Sequence, residues 1–198
     1  MRLHSTAEIL QIYQQKGRQL YGGEAVSQLE HALQCATFAE AADQPTAMIV
    51  SCLLHDIGHL LIEPFQLLEP FQYPFADGIA SDHDTHADCA SAVLRELFSP
   101  AVTEPIRLHV EAKRYLCAVE PGYWQSLSAA SQQSLEHQGG IFGLEAAQAF
   151  IAQPYAAEAV QLRRWDDSAK VVGLPTADLS HFAPMLMACA SGSALESG

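Results

Sequence analysis

The sequence predicts an all-α fold, a helical bundle built as one domain, and three observations carry that expectation. Of 198 residues, 49% are hydrophobic, which suits a single substantial core. Few stretches alternate apolar and polar residues with period two, whereas Val26, Leu29, Leu33 and Ala36 recur with helical spacing. Histidines and aspartates also interrupt helical stretches that are otherwise too apolar to face water.

Ser5 or Thr6 suits the cap of a first helix reaching about Leu20, with Glu8 in its first turn and Gly22-Gly23 ending it. A second helix is expected from about Glu24 to Ala42, and Asp43 and Pro45 suit the start of a third, through about Leu61. The most apolar stretch, Ala47 to Ile62, is shorter than the roughly 20 residues a bilayer span needs and carries His55, Asp56 and His59. It reads as a buried helix. Residues 63–82 hold three Pro, three Phe, a Tyr and a Gly. A connection of that length suits a lid over a site or a surface loop packing its own aromatics. Further helices are expected at about 84–97, 101–117, 121–135, 143–152 and 154–170, and from about 174 a partly disordered tail closes the single domain 1–198.

Charge and cysteine content narrow the function classes. A formal net charge of −13 argues against a nucleic-acid backbone or an anionic membrane as partner. A small anionic ligand stays open, because the ten Lys and Arg can gather in one pocket. Five cysteines without CxxC spacing indicate neither a disulfide framework nor a zinc ribbon. With no signal-peptide core in MRLHSTAEIL, they read as reduced thiols of a cytoplasmic protein. The oligomeric state is open.

The chemistry lies in the buried polar residues. Asp56 follows the run Ile49-Val50-Ser51-Cys52-Leu53-Leu54-His55, and no Lys or Arg lies near it in sequence. Burying an ionised carboxylate alone costs several kcal/mol, so Asp56 needs a cation, and a metal ion answers that need. His59 is expected one turn after His55 on the same face, and Glu24, Gln28 and His31 on one stripe of the second helix. His86 opens a periodic helix and is preferred over its competitor His83, which sits in an acidic run. His109 and Lys113 are one turn apart, as are Arg163 and Asp166. The ordered series His31, His55-Asp56, His86, His109, Asp166 offers imidazole and carboxylate donors suited to first-row transition metals, with Asp56 able to bridge. His4, His137 and His181 fall outside the series and are assigned to surface or packing roles.

That series resembles the HD superfamily, in the subset with two extra histidines that binds two metals. The segments Tyr21-Gly22-Gly23-Glu24, Leu54-His55-Asp56-Ile57-Gly58-His59, His109-Val110-Glu111-Ala112-Lys113-Arg114-Tyr115-Leu116 and Leu162-Arg163-Arg164-Trp165-Asp166 resemble one branch of it. That branch is the mixed-valence di-iron oxygenases that cleave carbon–phosphorus bonds, of the 2-amino-1-hydroxyethylphosphonate dioxygenase type. The resemblance covers about residues 18 to 172. It implies two iron ions (Fe2+/Fe3+), one held by His31, His55, Asp56 and Asp166, the other by His86 and His109, with Asp56 as the bridge. It implies that Lys113, Arg163, Ser131 and His59 cradle a phosphonate, that Glu24 senses a substrate ammonium, and that Tyr21 covers a vacant iron position. Tyr21, Glu24, His59 and Lys113 would then be the catalytic groups. The implied reaction consumes dioxygen and an organophosphonate and gives glycine, or an N-methylated glycine, and phosphate. The alternative is an HD-type phosphohydrolase acting on a nucleotide or small phosphate ester.

Overall fold

The structure, a computed structural model, describes residues 3–61 and 86–192. The proposed lid, residues 63–82, and His83 lie outside the described residues.

The described chain is all helical: α1 (Thr6–Lys16), α2 (Gln28–Ala41), α3 (Thr46–Leu54), α4 (Gly58–Leu61), α5 (His86–Leu94), α6 (Pro100–Val119), α7 (Tyr123–Ser126), α8 (Ala129–His137), α9 (Leu144–Ile151), α10 (Ala156–Ser168) and α11 (Leu179–Gly192). The only strand-like contact among the described residues is an isolated antiparallel bridge between Leu20 and Ser27. The longest helix, α6, packs against α3, α5 and α10, and α2 lies against α3 and α10. The main core gathers Ile9, Tyr13, Cys35, Leu53, Leu54, Ile57, Leu94 and Ile106, all buried. No described helix is long and apolar enough to cross a membrane.

Four expected boundaries move, each for a local reason. The first helix stops at Lys16 rather than Leu20, where Gly17 approaches Leu29; a side chain at Gly17 would meet the Tyr13 carbonyl. The second helix starts at Gln28 rather than Glu24, because Ser27 and Glu30 form a capping box. Ser27 N–H donates to Glu30 Oε2 at 2.7 Å, and Glu30 N–H to Ser27 Oγ at 3.2 Å. Glu24 therefore sits in the turn before α2 and not on the helical stripe of His31. Gly22 (φ 41°) and Gly23 (φ 87°) make that turn, in the left-handed region glycine tolerates.

The expected helix through Leu61 breaks after Leu54. Ile57, His59 and Leu60 N–H donate three residues back, to Leu54, Asp56 and Ile57, in a tightened turn. Gly58 sits against α5 so closely that a Cβ would lie 2.1 Å from the His86 carbonyl oxygen. His55 before the turn is buried, whereas His59 after it is exposed. Likewise, the helix expected over 121–135 divides into α7 and α8, because Ser128 Oγ accepts from Ser131 N–H and caps a new start. The tail expected to be partly disordered carries α11 over Leu179–Gly192, and residues 193–198 lie outside the described residues. Asp178 Oδ1 accepts from Ser180 and His181 N–H, and Phe182 and Leu186 bury fully in the main core. The small residues near the chain end mask a preceding Phe182, Met185, Leu186, Cys189 stripe of helical period.

Candidate metal centre and substrate pocket

Five helices and one turn deliver the expected series to a single point. His31 comes from α2, His55 from the end of α3, Asp56 from the tightened turn, His86 from the first residue of α5, His109 from α6 and Asp166 from α10. All six are buried. They fall into two groups, His31–His55–Asp56–Asp166 and Asp56–His86–His109, in each of which the donor atoms lie within 4.8 Å of one another. Asp56 belongs to both. Its Oδ2 faces His31 Nε2 at 3.7 Å and His55 Nε2 at 3.4 Å, and its Oδ1 faces His86 Nε2 at 3.1 Å and His109 Nε2 at 3.4 Å. Asp166 Oδ1 stands 3.2 Å from His31 Nε2.

The donor set fits metal ions, and the fit can be argued from protons. His31 Nδ1 lies 2.7 Å from the Ala169 carbonyl oxygen, His55 Nδ1 2.9 Å from that of Cys52, and His109 Nδ1 2.7 Å from that of Ile106. A carbonyl only accepts, so in each ring Nδ1 carries the proton and Nε2 points a bare lone pair inward. Two such lone pairs, on His31 and His55, face each other across 3.1 Å, and His86 and His109 Nε2 are equally close. Neither oxygen of Asp56 accepts a hydrogen bond among the described residues. Burial by itself disfavours the Asp56 anion, yet the surrounding His55, His109 and His86 hold it well below the usual carboxylate range. Against the lowering effect of burial, Asp56 pushes His55 up to about 10, so that a proton occupies its Nε2 whenever no metal ion does. The cluster's field thus calls for positive charge at the Nε2 positions, and two divalent or trivalent cations would supply it. The buried His/Asp cluster could hold a dinuclear metal site.

A cationic wall stands beside the cluster. Lys113 and Arg163 are almost fully buried on α6 and α10, one turn from His109 and Asp166 as their spacing predicts. Lys113 Nζ donates to Ser134 Oγ at 2.7 Å. Arg163 pairs with Asp166 Oδ2 at 2.6 Å and with Asp167, while its Nε has no hydrogen-bond partner among the described residues. Burial acts to lower the guanidinium, but Asp166 and Asp167 more than offset it and keep Arg163 protonated. Ser131, buried at the start of α8, accepts from Arg163 at 3.4 Å. His59 is exposed and stacks on the His86 ring, with centroids 4.1 Å apart.

The other side of the cluster is covered by Tyr21. Its ring stacks on His31 at 3.9 Å, and its hydroxyl donates to Asp166 Oδ1 at 3.4 Å. Burial raises the phenol well above its ordinary value, and Asp166 and Asp56 raise it further. Glu24, three residues on, accepts from Ser128 Oγ and stands 3.7 Å from Lys170 Nζ. Tyr21, His59 and Arg163 thus touch members of the six-residue cluster, Ser131 meets Arg163, Glu24 is reached through Lys170, and Lys113 through Ser134, in one network of side chains. His4, His137 and His181 are exposed and outside it, as expected, and His181 pairs with Glu40 at 2.8 Å.

Sequence reasoning missed Lys170, Ser128 and Asp167. Lys170 lies four residues past Asp166, the spacing by which Lys113 follows His109, so the same signal was there. Ser128 was hidden inside an expected continuous helix.

The described residues thus form a helical bundle that buries paired imidazoles around a shared aspartate, a cluster that could hold a dinuclear metal site. No family model matches the chain. It is 41% identical over 181 residues to hydroxymethylphosphonate dioxygenase of Gimesia maris, across 91% of this chain and 86% of that one. It is 38% identical over 179 residues to [1-hydroxy-2-(trimethylamino)ethyl]phosphonate dioxygenase (glycine-betaine-forming) of Leisingera caerulea, across 88% and 85%. An uncharacterised protein of Acanthamoeba polyphaga mimivirus is 29% identical over 181 residues. The chain belongs to the HD-domain phosphonate dioxygenase family, a family of oxidoreductases.

Proposed function

We propose that this protein cleaves the carbon–phosphorus bond of a small 1-hydroxyphosphonate with dioxygen, at two iron ions bridged by Asp56. The observation that carries this reading is the division of Asp56, one oxygen toward each pair of bare imidazole nitrogens, beside a buried Lys113–Arg163–Ser131 wall. His31, His55, Asp56 and Asp166 would hold one iron and Asp56, His86 and His109 the other. When bound, a mixed Fe2+/Fe3+ pair supplies chelation of the hydroxyl and a phosphonate oxygen and the redox capacity for dioxygen.

The chain's own groups do the rest. Lys113 and Arg163 would neutralise and orient the phosphonate, and Arg163 Nε, which has no hydrogen-bond partner among the described residues, is a donor still to be satisfied. Ser131 and His59 complete that cradle. Tyr21 covers the face of the first metal position against water and would turn away on the Gly22-Gly23 turn as substrate arrives. The two oxygen atoms of one dioxygen end in a carboxylate and in phosphate, with the substrate carbon giving up four electrons. Hydroxymethylphosphonate would yield formate and phosphate. 2-Amino-1-hydroxyethylphosphonate, the substrate expected from Glu24, would yield glycine and phosphate. The two named relatives act on a compound without a nitrogen and on one with a quaternary nitrogen, so both kinds of substrate bear testing.

The test is phosphate release from these two compounds by iron-loaded protein, with and without oxygen. Oxygen-dependent release from either supports the reading. Release from neither, with a nucleotide monophosphate hydrolysed anaerobically, would replace it with hydrolysis at the same metals.

A further inference from the structure

The pocket holds a third cation to which the reaction assigns no task. Lys170 follows the end of α10, and its ammonium ties three parts of the fold together. It donates to Ser131 Oγ on α8 at 3.0 Å and stands 3.7 Å from Glu24 Oε1 in the turn before α2. Asp167 Oδ1 lies 3.9 Å away, and the centre of the Tyr21 ring 5.7 Å. The side chains of Lys170 and Glu24 are only 11% and 17% exposed, so water screens their attraction less than it would on the surface. The same Glu24 oxygen also accepts from Ser128.

A carboxylate in a pocket that binds small molecules attracts the cationic end of any ligand that has one. Here that carboxylate already has a cation. A substrate ammonium reaching Glu24 would bring a second positive charge within a few ångströms of Lys170, and must either displace it or tolerate it. A substrate with a neutral tail, or none, leaves the Lys170–Glu24 pair in place. Resting on the hydroxyphosphonate reading above, we propose that Lys170 is a specificity residue: by neutralising Glu24 it turns the pocket against hydroxyphosphonates that carry their own cation and toward those that do not. It acts through Glu24 and touches no reacting atom. Like-charge juxtaposition of this kind excludes a wrong partner more than it strengthens the right one.

The experiment compares kcat/KM for 2-amino-1-hydroxyethylphosphonate and hydroxymethylphosphonate in iron-loaded wild-type, Lys170→Met, Lys170→Arg and Glu24→Gln/Lys170→Met proteins. Anaerobic equilibrium binding of both compounds provides a readout independent of turnover. Lys170→Met should raise the amino-to-hydroxymethyl ratio about tenfold, in KM and in anaerobic affinity rather than in kcat. Lys170→Arg, which keeps the charge, should retain the wild-type ratio, and the double variant should lose the gain. A ratio unmoved in Lys170→Met, or raised equally in the double variant, overturns the proposal while leaving the functional reading intact. If wild-type protein neither binds nor turns over either compound, the functional reading itself falls and takes this proposal with it.

Discussion

Among the described residues, Asp56 is the side chain shared by both halves of the cluster, with one oxygen toward each. His86 and His109 approach Oδ1, at 3.1 and 3.4 Å, and His31 and His55 approach Oδ2, at 3.7 and 3.4 Å. Asp56→Ala should therefore cost both metals, while His86→Ala should cost one; elemental analysis that still found two metals per chain in Asp56→Ala would sink the bridging assignment. Much at this scale was readable from the chain alone. A carboxylate after six apolar or small residues, with no basic neighbour, has to find its cation across the fold. What could not be read was partnership. The stacking of Tyr21 on His31 and the pairing of Glu24 with Lys170 join residues from separate elements, and no local spacing encodes which charged groups will meet. The expected ammonium-sensing role for Glu24 was drawn without its resident cation.

Among the elements, the tightened turn between α3 and α4 positions the most. It releases Asp56 toward the cluster and brings Gly58 under the start of α5, where only hydrogen fits beside the His86 carbonyl. Gly58→Ala should push α5 outward by the displaced carbonyl. The expected result is loss of the metal at His86 and His109 with the His31–His55 metal retained, read by elemental analysis against an unchanged helical circular-dichroism spectrum. The break escaped sequence reading because the apolar run continues through it: periodicity reports which residues are buried, not whether one helix or two bury them. The Ser27–Glu30 capping box was legible in principle, being a local four-residue signal, but the apolar stripe drew the boundary too early. α11 was missed for the opposite reason, since a tail of small residues concealed the stripe before it. Phe182→Ala should lower unfolding free energy by about 3–5 kcal/mol, the usual cost of emptying a fully buried aromatic site. Denaturant titration showing less than about 1 kcal/mol would mean that α11 contributes little to the core.

For the molecule as a whole, the cluster would be a folding element as much as the proposed reaction site. It places six buried donors on five helices and a turn, with bare lone pairs facing one another at 3.1 Å. Cations that bind the folded arrangement and not the unfolded chain stabilise it by mass action. Chelation should thus lower the melting temperature by about 6–12 °C, taking roughly 3 kcal/mol of linked binding energy and the usual conversion for a chain of this size. Ferrous iron should restore it; a melting curve indifferent to chelator would mean that the helices hold the donors in place without help.

The carbonyl contacts behind the imidazoles have a consequence for how such a site can diverge. Cys52, Ile106 and Ala169 orient His55, His109 and His31 through main-chain oxygens, which every residue at those positions would also possess. Substitution there leaves the orienting atom unchanged so long as the helix survives. Glu24, Ser128 and Lys170, by contrast, meet one another and Ser131 through side-chain atoms. On the proposed reading, mutational drift would retune which substrate tail is admitted while the main-chain atoms that orient the imidazoles are inherited intact.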